Sequence, residues 1–145
     1  MAISIPPKVF LDSNVLFSAL YSPAGAPGKI LQLYGAGRLS TVVSELVIRE
    51  MARAISDKAP ELSAAVAALL SDRPPEIVPD PPRTAVLKYL PHVNSKDAPI
   101  VAAAIGAGVD YFVTGDRRIA DEIRSLNPPF RVLTPSELVG EITND

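Results

Sequence analysis

Four carboxylates stand where ordinary surface acids are not expected. Asp12 follows directly on the apolar run Val9-Phe10-Leu11. Asp116 follows Tyr111-Phe112-Val113-Thr114 after Gly115, a residue that lets the chain turn sharply. Asp97 opens the stretch that leads into Ile100-Val101-Ala102-Ala103-Ala104-Ile105. Glu50 is singled out by a helical-wheel argument. At about 100° per residue, Leu46, Val47, Met51, Ala54 and Ile55 share one broad apolar arc, and Glu50 falls inside it. Glu45, Arg49 and Arg53 fall outside it, and Glu45 reads as an ordinary surface residue. A glutamate on an apolar face is costly unless it is paired, protonated or bound to metal.

Acids of this kind, brought together, have a definite chemistry. At ~5 Å and an effective dielectric of ~20, each like-charge pair costs about 3 kcal/mol. Without a cation some of them would hold protons at neutral pH. Oxygen-only ligands favour hard divalent ions such as Mg2+ or Mn2+. Such ions acidify water and offset charge on the attacking and leaving oxygens of a phosphodiester. That chemistry needs no histidine or cysteine, in a chain with one histidine and no cysteine. The histidine, His92, follows a proline in a polar loop and is assigned no role. Lys96, Arg117 and Arg118 flank the acids and are candidates for phosphate contacts. Tyr34 and Tyr111 read as core or rim residues.

The elements that must position these acids can be read in order. Residues 1–7 form a lead-in. Val9–Leu11 is a short unbroken apolar run, as expected of a strand buried on both faces. Asn14 is expected to cap the helix that follows, which should stop near Ser22-Pro23. Pro27 suits the start of a second helix. Leu39 to Val43 reads as the second strand, and Ser44 as the cap of a helix reaching about Ile55. Pro60 opens a fourth helix with Leu62, Val66, Leu69 and Leu70 on one face. Glu76-Ile77-Val78, set among prolines, reads as an edge strand.

A short helix is expected from Thr84 to Leu90, and a deeply buried one from about Lys96 to Ala107. Tyr111-Phe112-Val113 is the fourth strand, followed by a helix from Arg117 to about Ser125. Phe130 to Leu133 is the fifth strand, and Thr134-Pro135-Ser136-Glu137 is a capping box that starts a last helix. Strands alternating with helices argue for an α/β fold, a parallel sheet covered on both faces. In such sheets ligands bind at the carboxyl ends of the strands, at the point where strand order reverses. A reversal between the first and fourth strands would set Asp12 beside Asp116.

Composition bounds the rest. The 145 residues, 48% of them apolar, are expected to form a single domain, residues 1–145. The absence of cysteine excludes disulfides, thiolate metal sites and cysteine nucleophiles. No apolar run approaches the ~20 residues that span a bilayer. No basic-then-apolar leader opens the chain, so a cytoplasmic protein without a membrane is expected. The net charge of −2 gives no global attraction to nucleic acid, so any such contact must come from a local basic rim.

The motifs together resemble one family. Val9-Phe10-Leu11-Asp12-Ser13-Asn14-Val15-Leu16, then Ser44 with Val47-Ile48 and Glu50-Met51, then Lys96-Asp97, then Tyr111-Phe112-Val113-Thr114-Gly115-Asp116 are similar to the PIN-domain family. Ser18-Ala19-Leu20 through Ala24-Gly25-Ala26-Pro27-Gly28-Lys29 resembles its VapC-like branch, the toxin components of bacterial toxin–antitoxin pairs. The likeness runs from residue 8 to about residue 138. It implies a metal-dependent ribonuclease on a three-layer α/β/α fold with a five-stranded parallel sheet of order 3-2-1-4-5. It implies that Asp12, Glu50, Asp97 and Asp116 bind Mg2+ or Mn2+, with Asn14 and Thr114 as polar support. It also implies RNA as substrate, 5′-phosphate and 3′-hydroxyl product ends, a small antitoxin partner and a homodimer. Ser13 departs from the family, which more often has threonine there.

Two other functions compete. A haloacid dehalogenase-like phosphatase would also place an aspartate after its first strand, with Lys96, Gly115-Asp116 and Asp121 as further parts. It needs a second acid where Asn14 stands, and it leaves Glu50 without a task. A non-catalytic RNA- or protein-binding module of the same fold would not need Asp12 at all. A receiver-like signalling domain would need paired acids near the first strand and a phosphorylatable aspartate after the third.

Overall fold

Apolar runs too short to span more than one layer form the sheet, and the punctuation between them sets the helices. The structure is a computed structural model and describes residues 5–144. The first four residues of the expected lead-in lie outside that range. The strands are β1 (Lys8–Leu11), β2 (Ser40–Ser44), β3 (Glu76–Val78), β4 (Tyr111–Val113) and β5 (Arg131–Leu133). They pair in the order β3-β2-β1-β4-β5, every neighbour parallel. The helices are α1 (Ser13–Tyr21), α2 (Ala26–Gly35), α3 (Glu45–Lys58), α4 (Ser63–Asp72), α5 (Arg83–Leu87), α6 (Ala98–Ala107), α7 (Arg117–Arg124) and α8 (Pro135–Thr143). They flank the sheet to give the three-layer α/β/α architecture that the resemblance implies.

The register of the central pair matters most for the site. Phe10 lies opposite Phe112 and Leu11 opposite Val113. The ladder runs one residue further, where the Asp12 N–H donates to the Val113 carbonyl at 3.0 Å. The residues that leave β1 and β4 are therefore neighbours at the carboxyl edge. Beneath them Phe10, Phe112 and Phe130 stack in series, at 5.4 Å and 5.9 Å between ring centroids. Phe10, Val42, Val43 and Phe112 are fully buried, as strands covered on both faces require.

Several helix boundaries differ from the expected ones, each for a local reason. Pro60 opens a 3-10 turn, Pro60–Leu62, before α4 begins at Ser63. No residue of α4 is fully buried, and Val66 and Leu69 only lean on the core. The helix expected to reach Leu90 stops at Leu87, because Leu87 and Leu90 have no core to face and stay exposed. The buried helix starts at Ala98, not Lys96, since the Asn94 carbonyl takes the Asp97 and Ala98 N–H groups in a preceding turn. Its far end is closed by Gly108 at φ +66°, a left-handed conformation that favours glycine. Gly28 allows α2 to start against the turn before it, since a side-chain carbon there would overlap the Pro23 carbonyl. β3 is one of the two edge strands, with Glu76 and Ile77 exposed. Among the described residues no helix is long and apolar enough to cross a membrane.

The capping box of α8 forms as the sequence indicates. Thr134 Oγ1 accepts from the Glu137 N–H at 3.1 Å, and Glu137 Oε1 accepts from the Thr134 N–H at 2.9 Å. The Thr134 N–H first, and the Thr134 side chain after it, hold the Glu137 carboxyl below its ordinary value of 4.5. A lowered folded-state pKa gives stability that is present above pH 4.5 and is lost as pH falls through the lowered value. Glu137→Ala is expected to cost about 0.5 kcal/mol at neutral pH in this solvent-screened position. The loss should shrink as the solution is acidified, which urea titrations at pH 7 and pH 3 would measure.

Candidate active site

The carboxyl ends of β1 and β4 are joined by side chains about a hundred positions apart. Asp12 is N-cap to α1, and its Oδ1 accepts from the Ser13 N–H at 2.8 Å. Its Oδ2 accepts from the Thr114 hydroxyl at 2.9 Å and from Asn14 Nδ2 at 3.3 Å. Asn14, expected to cap the helix, does not. It lies in the first turn of α1, and its Oδ1 accepts from the Gly115 N–H at 3.0 Å while its Nδ2 also reaches Thr114 Oγ1 at 3.3 Å. The cap role went to Asp12 because that residue leaves the strand in the extended conformation an N-cap requires. Thr114 Oγ1 completes the knot by accepting from the Asp116 N–H at 3.1 Å.

The four acids sit in different surroundings. Asp12 is 3% exposed, and its pKa is raised above the ordinary 3.8 chiefly by burial. The hydrogen bonds from Thr114 and the Ser13 N–H pull it down, while the charges of Glu50 and Asp97 push it up. Glu50 is half-buried and turned inward, with Oε1 accepting from the Ser13 hydroxyl at 3.1 Å. Asp97 is buried at the threshold of α6, and its Oδ2 accepts from Arg118 at 3.1 Å. The same Arg118 nitrogen donates to Glu122 Oε2 at 3.1 Å. Asp116 caps α7, its Oδ1 accepting from the Arg118 and Ile119 N–H groups at 2.9 Å and 3.2 Å.

All four acids line one cleft of about 420 Å³, together with Ser13, Asn14, Arg53, Asp57, Lys58 and Lys96. They do not form a ready-made ligand set. Among the described residues no group of three or more His, Cys, Asp or Glu stands close enough to hold a metal ion. Each acid meets a protein donor: Arg118 for Asp97, the α7 backbone for Asp116, and Thr114 and Ser13 for Asp12 and Glu50. The donors are oxygen throughout and anionic, which fits Mg2+ or Mn2+ and not a soft metal. Arg118 competes with any such ion for Asp97.

The basic residues divide differently from the expectation. Lys96 lines the cleft, Arg117 is exposed beside it, and Arg118 is engaged by two carboxylates. Arg53 and Lys58 line the cleft as well. The signal that could have found them was their spacing from Glu50 on α3, three and eight residues on. Ser13 was noted only as a departure from a family pattern, and it is the residue that ties Glu50 to α1. Glu45 is exposed, but it is no idle surface acid. It accepts from the Asp80 N–H at 3.0 Å, while Asp80 accepts from the Leu46 N–H at 2.8 Å and from Arg49 at 2.6 Å. That clamp fastens the start of α3 to the chain leaving β3, and so holds Glu50 at its depth.

A family profile described as PIN domain matches residues 8–118. No curated protein sequence matches significantly. Among solved structures, PAE2754 from Pyrobaculum aerophilum superposes with a TM-score of 0.67 at 19% identity, over 96% of this chain and 97% of that one. VapBC2 from Rickettsia felis, bound to a DNA fragment from their promoter, superposes with a TM-score of 0.62 at 17% identity, over 88% and 98%. The PIN domain endonuclease Utp24 superposes with a TM-score of 0.57 at 16% identity, over 92% and 88%. At these identities the likenesses speak for the fold.

Proposed function

The chain belongs to the PIN-domain family, to which residues 8–118 assign it, and from that membership we propose that it is a ribonuclease dependent on Mg2+ or Mn2+. The observation that carries the reading is the single cleft lined by Asp12, Glu50, Asp97 and Asp116 at the carboxyl edge of the sheet. These four residues would hold the ion. When bound, it supplies Lewis-acid stabilisation of charge on phosphoryl oxygens and makes water more acidic. The chain does the rest. Thr114, Asn14 and the Ser13 N–H fix the Asp12 carboxylate in one orientation, so little reorganisation is needed when charge develops. Ser13 does the same for Glu50. Lys96, Arg53 and Lys58 on the cleft wall, with Arg117 beside it, offset phosphate charge in a protein whose net charge is −2. Arg118 joins them once it leaves Asp97.

We assign the protein further to the toxin side of a toxin–antitoxin pair, as a single-domain cytoplasmic homodimer whose cleft a small antitoxin blocks. The fold-level likeness to VapBC2 supports this. The exposed His92 in its loop leaves no histidine near the cleft for nucleophilic or acid–base work.

The test is direct. The purified protein is expected to cleave single-stranded RNA with Mg2+ or Mn2+, to stop when the ion is chelated, and to resume when it is restored. Asp97→Asn should lose at least ~100-fold in rate, as expected for removing one interaction of the transition state. Cleavage that persists in chelator, or in Asp97→Asn, overturns the reading. A second reading is favoured by the Arg118–Asp97 pair: a module that keeps the fold and fills its own acid site with a guanidinium, without catalysis. It predicts RNA binding that is indifferent to divalent ions, and no cleavage under any of them.

A further inference from the structure

The acidic cleft does not end at its acids. Ser13, Phe17 and Tyr21 are spaced at i, i+4 and i+8, so they form one stripe along α1. Ser13, at the near end, is bonded to Glu50 on α3. Phe17 and Tyr21 stack on each other, with ring centroids 5.6 Å apart and planes 14° from parallel. Lys58, at the end of α3, lines the cleft and carries its ammonium 5.9 Å from the Phe17 ring centroid. Glu50, Ala54 and Lys58 repeat the same spacing on α3, and all three line the cleft. The two stripes leave the acids in the same direction, from Ser13 and Glu50 to Phe17 and Lys58.

Tyr21 stands at the far end of this path, about 12 Å along α1 from Ser13. It is 61% exposed. Neither ring lines the cleft itself; Lys58, which does, joins them to it through Phe17. Phe17 supports the Tyr21 ring from one side, and most of the residue stays open to solvent. An exposed ring stacked on a neighbour that itself carries a cation is an arrangement on which unpaired bases stack, whatever their sequence.

We propose that Tyr21, backed by Phe17, is a stacking platform for one unpaired base of a single-stranded RNA whose backbone leaves the cleft past Arg53 and Lys58. RNA is favoured over a protein partner because the aromatic pair adjoins, through Lys58, a cleft lined by Arg53, Lys58 and Lys96. The inference rests on the ribonuclease reading and deepens it. It assigns the cleft a polarity, with the scissile phosphate at Asp12 and a bound base on the α1 side.

The experiment uses the full chain carrying Asp12→Asn, so that RNA is bound and not cut, with Mg2+ present. The ligand is a single-stranded RNA oligonucleotide carrying 2-aminopurine at successive positions. Tyr21→Leu keeps an apolar side chain against Phe17 but removes the ring, and is expected to weaken binding about tenfold. Tyr21→Trp is expected to retain it. At one position 2-aminopurine fluorescence should be quenched by the Tyr21 protein and not by Tyr21→Leu. An abasic residue at that position should cost as much as Tyr21→Leu, and the two changes together no more than either alone. Lys58→Ala should flatten the dependence of log affinity on log salt by about 0.7.

Equal affinity of Tyr21→Leu and its parent overturns the proposal, as does a loss that abasic residues at every position share equally. A substitution that changes only the oligomeric state, with RNA affinity intact, assigns the patch to a protein interface and overturns it too. Failure of the parent enzyme to cleave RNA would instead sink the ribonuclease reading, so the two failures are distinguishable.

Discussion

Asp12→Asn is expected to lower metal-dependent RNA cleavage by about a thousandfold, equivalent to ~4 kcal/mol of transition-state stabilisation, without unfolding the protein. The asparagine is isosteric and keeps one oxygen for the Ser13 N–H, while its amide meets the Asn14 amide and a Thr114 hydroxyl that already accepts from Asn14 and Asp116, so those bonds must rearrange. What disappears is the negative charge in a position that is 3% exposed. Burial and the neighbouring Glu50 and Asp97 raise the pKa of Asp12 by more than the Thr114 and Ser13 hydrogen bonds lower it. Relief of that charge offsets the rearranged hydrogen bonds, so the urea midpoint should move little while activity collapses. A variant that lost stability and activity together would show that Asp12 is a structural cap and not a ligand. Full activity in a well-folded Asp12→Asn protein would remove the acid site altogether.

Phe112→Ala is expected to destabilise the protein by about 3–5 kcal/mol, a large part of the roughly 5–15 kcal/mol by which domains are stable. Phe112 is fully buried in β4 and lies between two other rings, 5.4 Å from that of Phe10 and 5.9 Å from that of Phe130. Removing it deprives both neighbours of contact and opens a cavity between β1, β4 and the residue that leads into β5. Phe112→Leu, which keeps most of the volume, should cost much less. The functional consequence follows from register. Thr114 lies two residues beyond Phe112, and Leu11 opposite Val113 is what brings Asp12 within 2.9 Å of the Thr114 hydroxyl. Denaturant titrations of the three proteins would measure the stability loss. A loss under 1 kcal/mol for Phe112→Ala would mean that the stack does not hold β4 in place.

Much of the molecule could be read from neighbouring residues alone. The unbroken apolar run of Val9–Leu11, the Ser44 cap and the Thr134-Pro135-Ser136-Glu137 box are signals that act within one turn or one strand. Each reappears in place because its partners are at most a few positions away, and the backbone bonds it satisfies are local. Glu50 was legible for the same reason: helical periodicity sets which face it occupies, and the half-buried, inward position follows. The strand order was reached through a resemblance, since neither a cap nor a period says which strand lies beside which.

Tertiary structure decided what depends on pairs distant in the chain. Asn14 is a tie between strand ends and not a cap, because Gly115 and Thr114, about a hundred residues away, arrive beside it only when β1 and β4 pair. Arg118, half exposed, reaches back to Asp97, a pairing across twenty-one positions that no local signal announces. The Asp80 clamp on Glu45 and Arg49 likewise exists only once β3 lies at the sheet edge. The sequence by itself determined which residues carry charge, where each helix and strand would begin within a few positions, and which glutamate was out of place. The fold alone determined which charges meet, because electrostatic attraction and repulsion act through space and follow the strand register, whatever the separation along the chain.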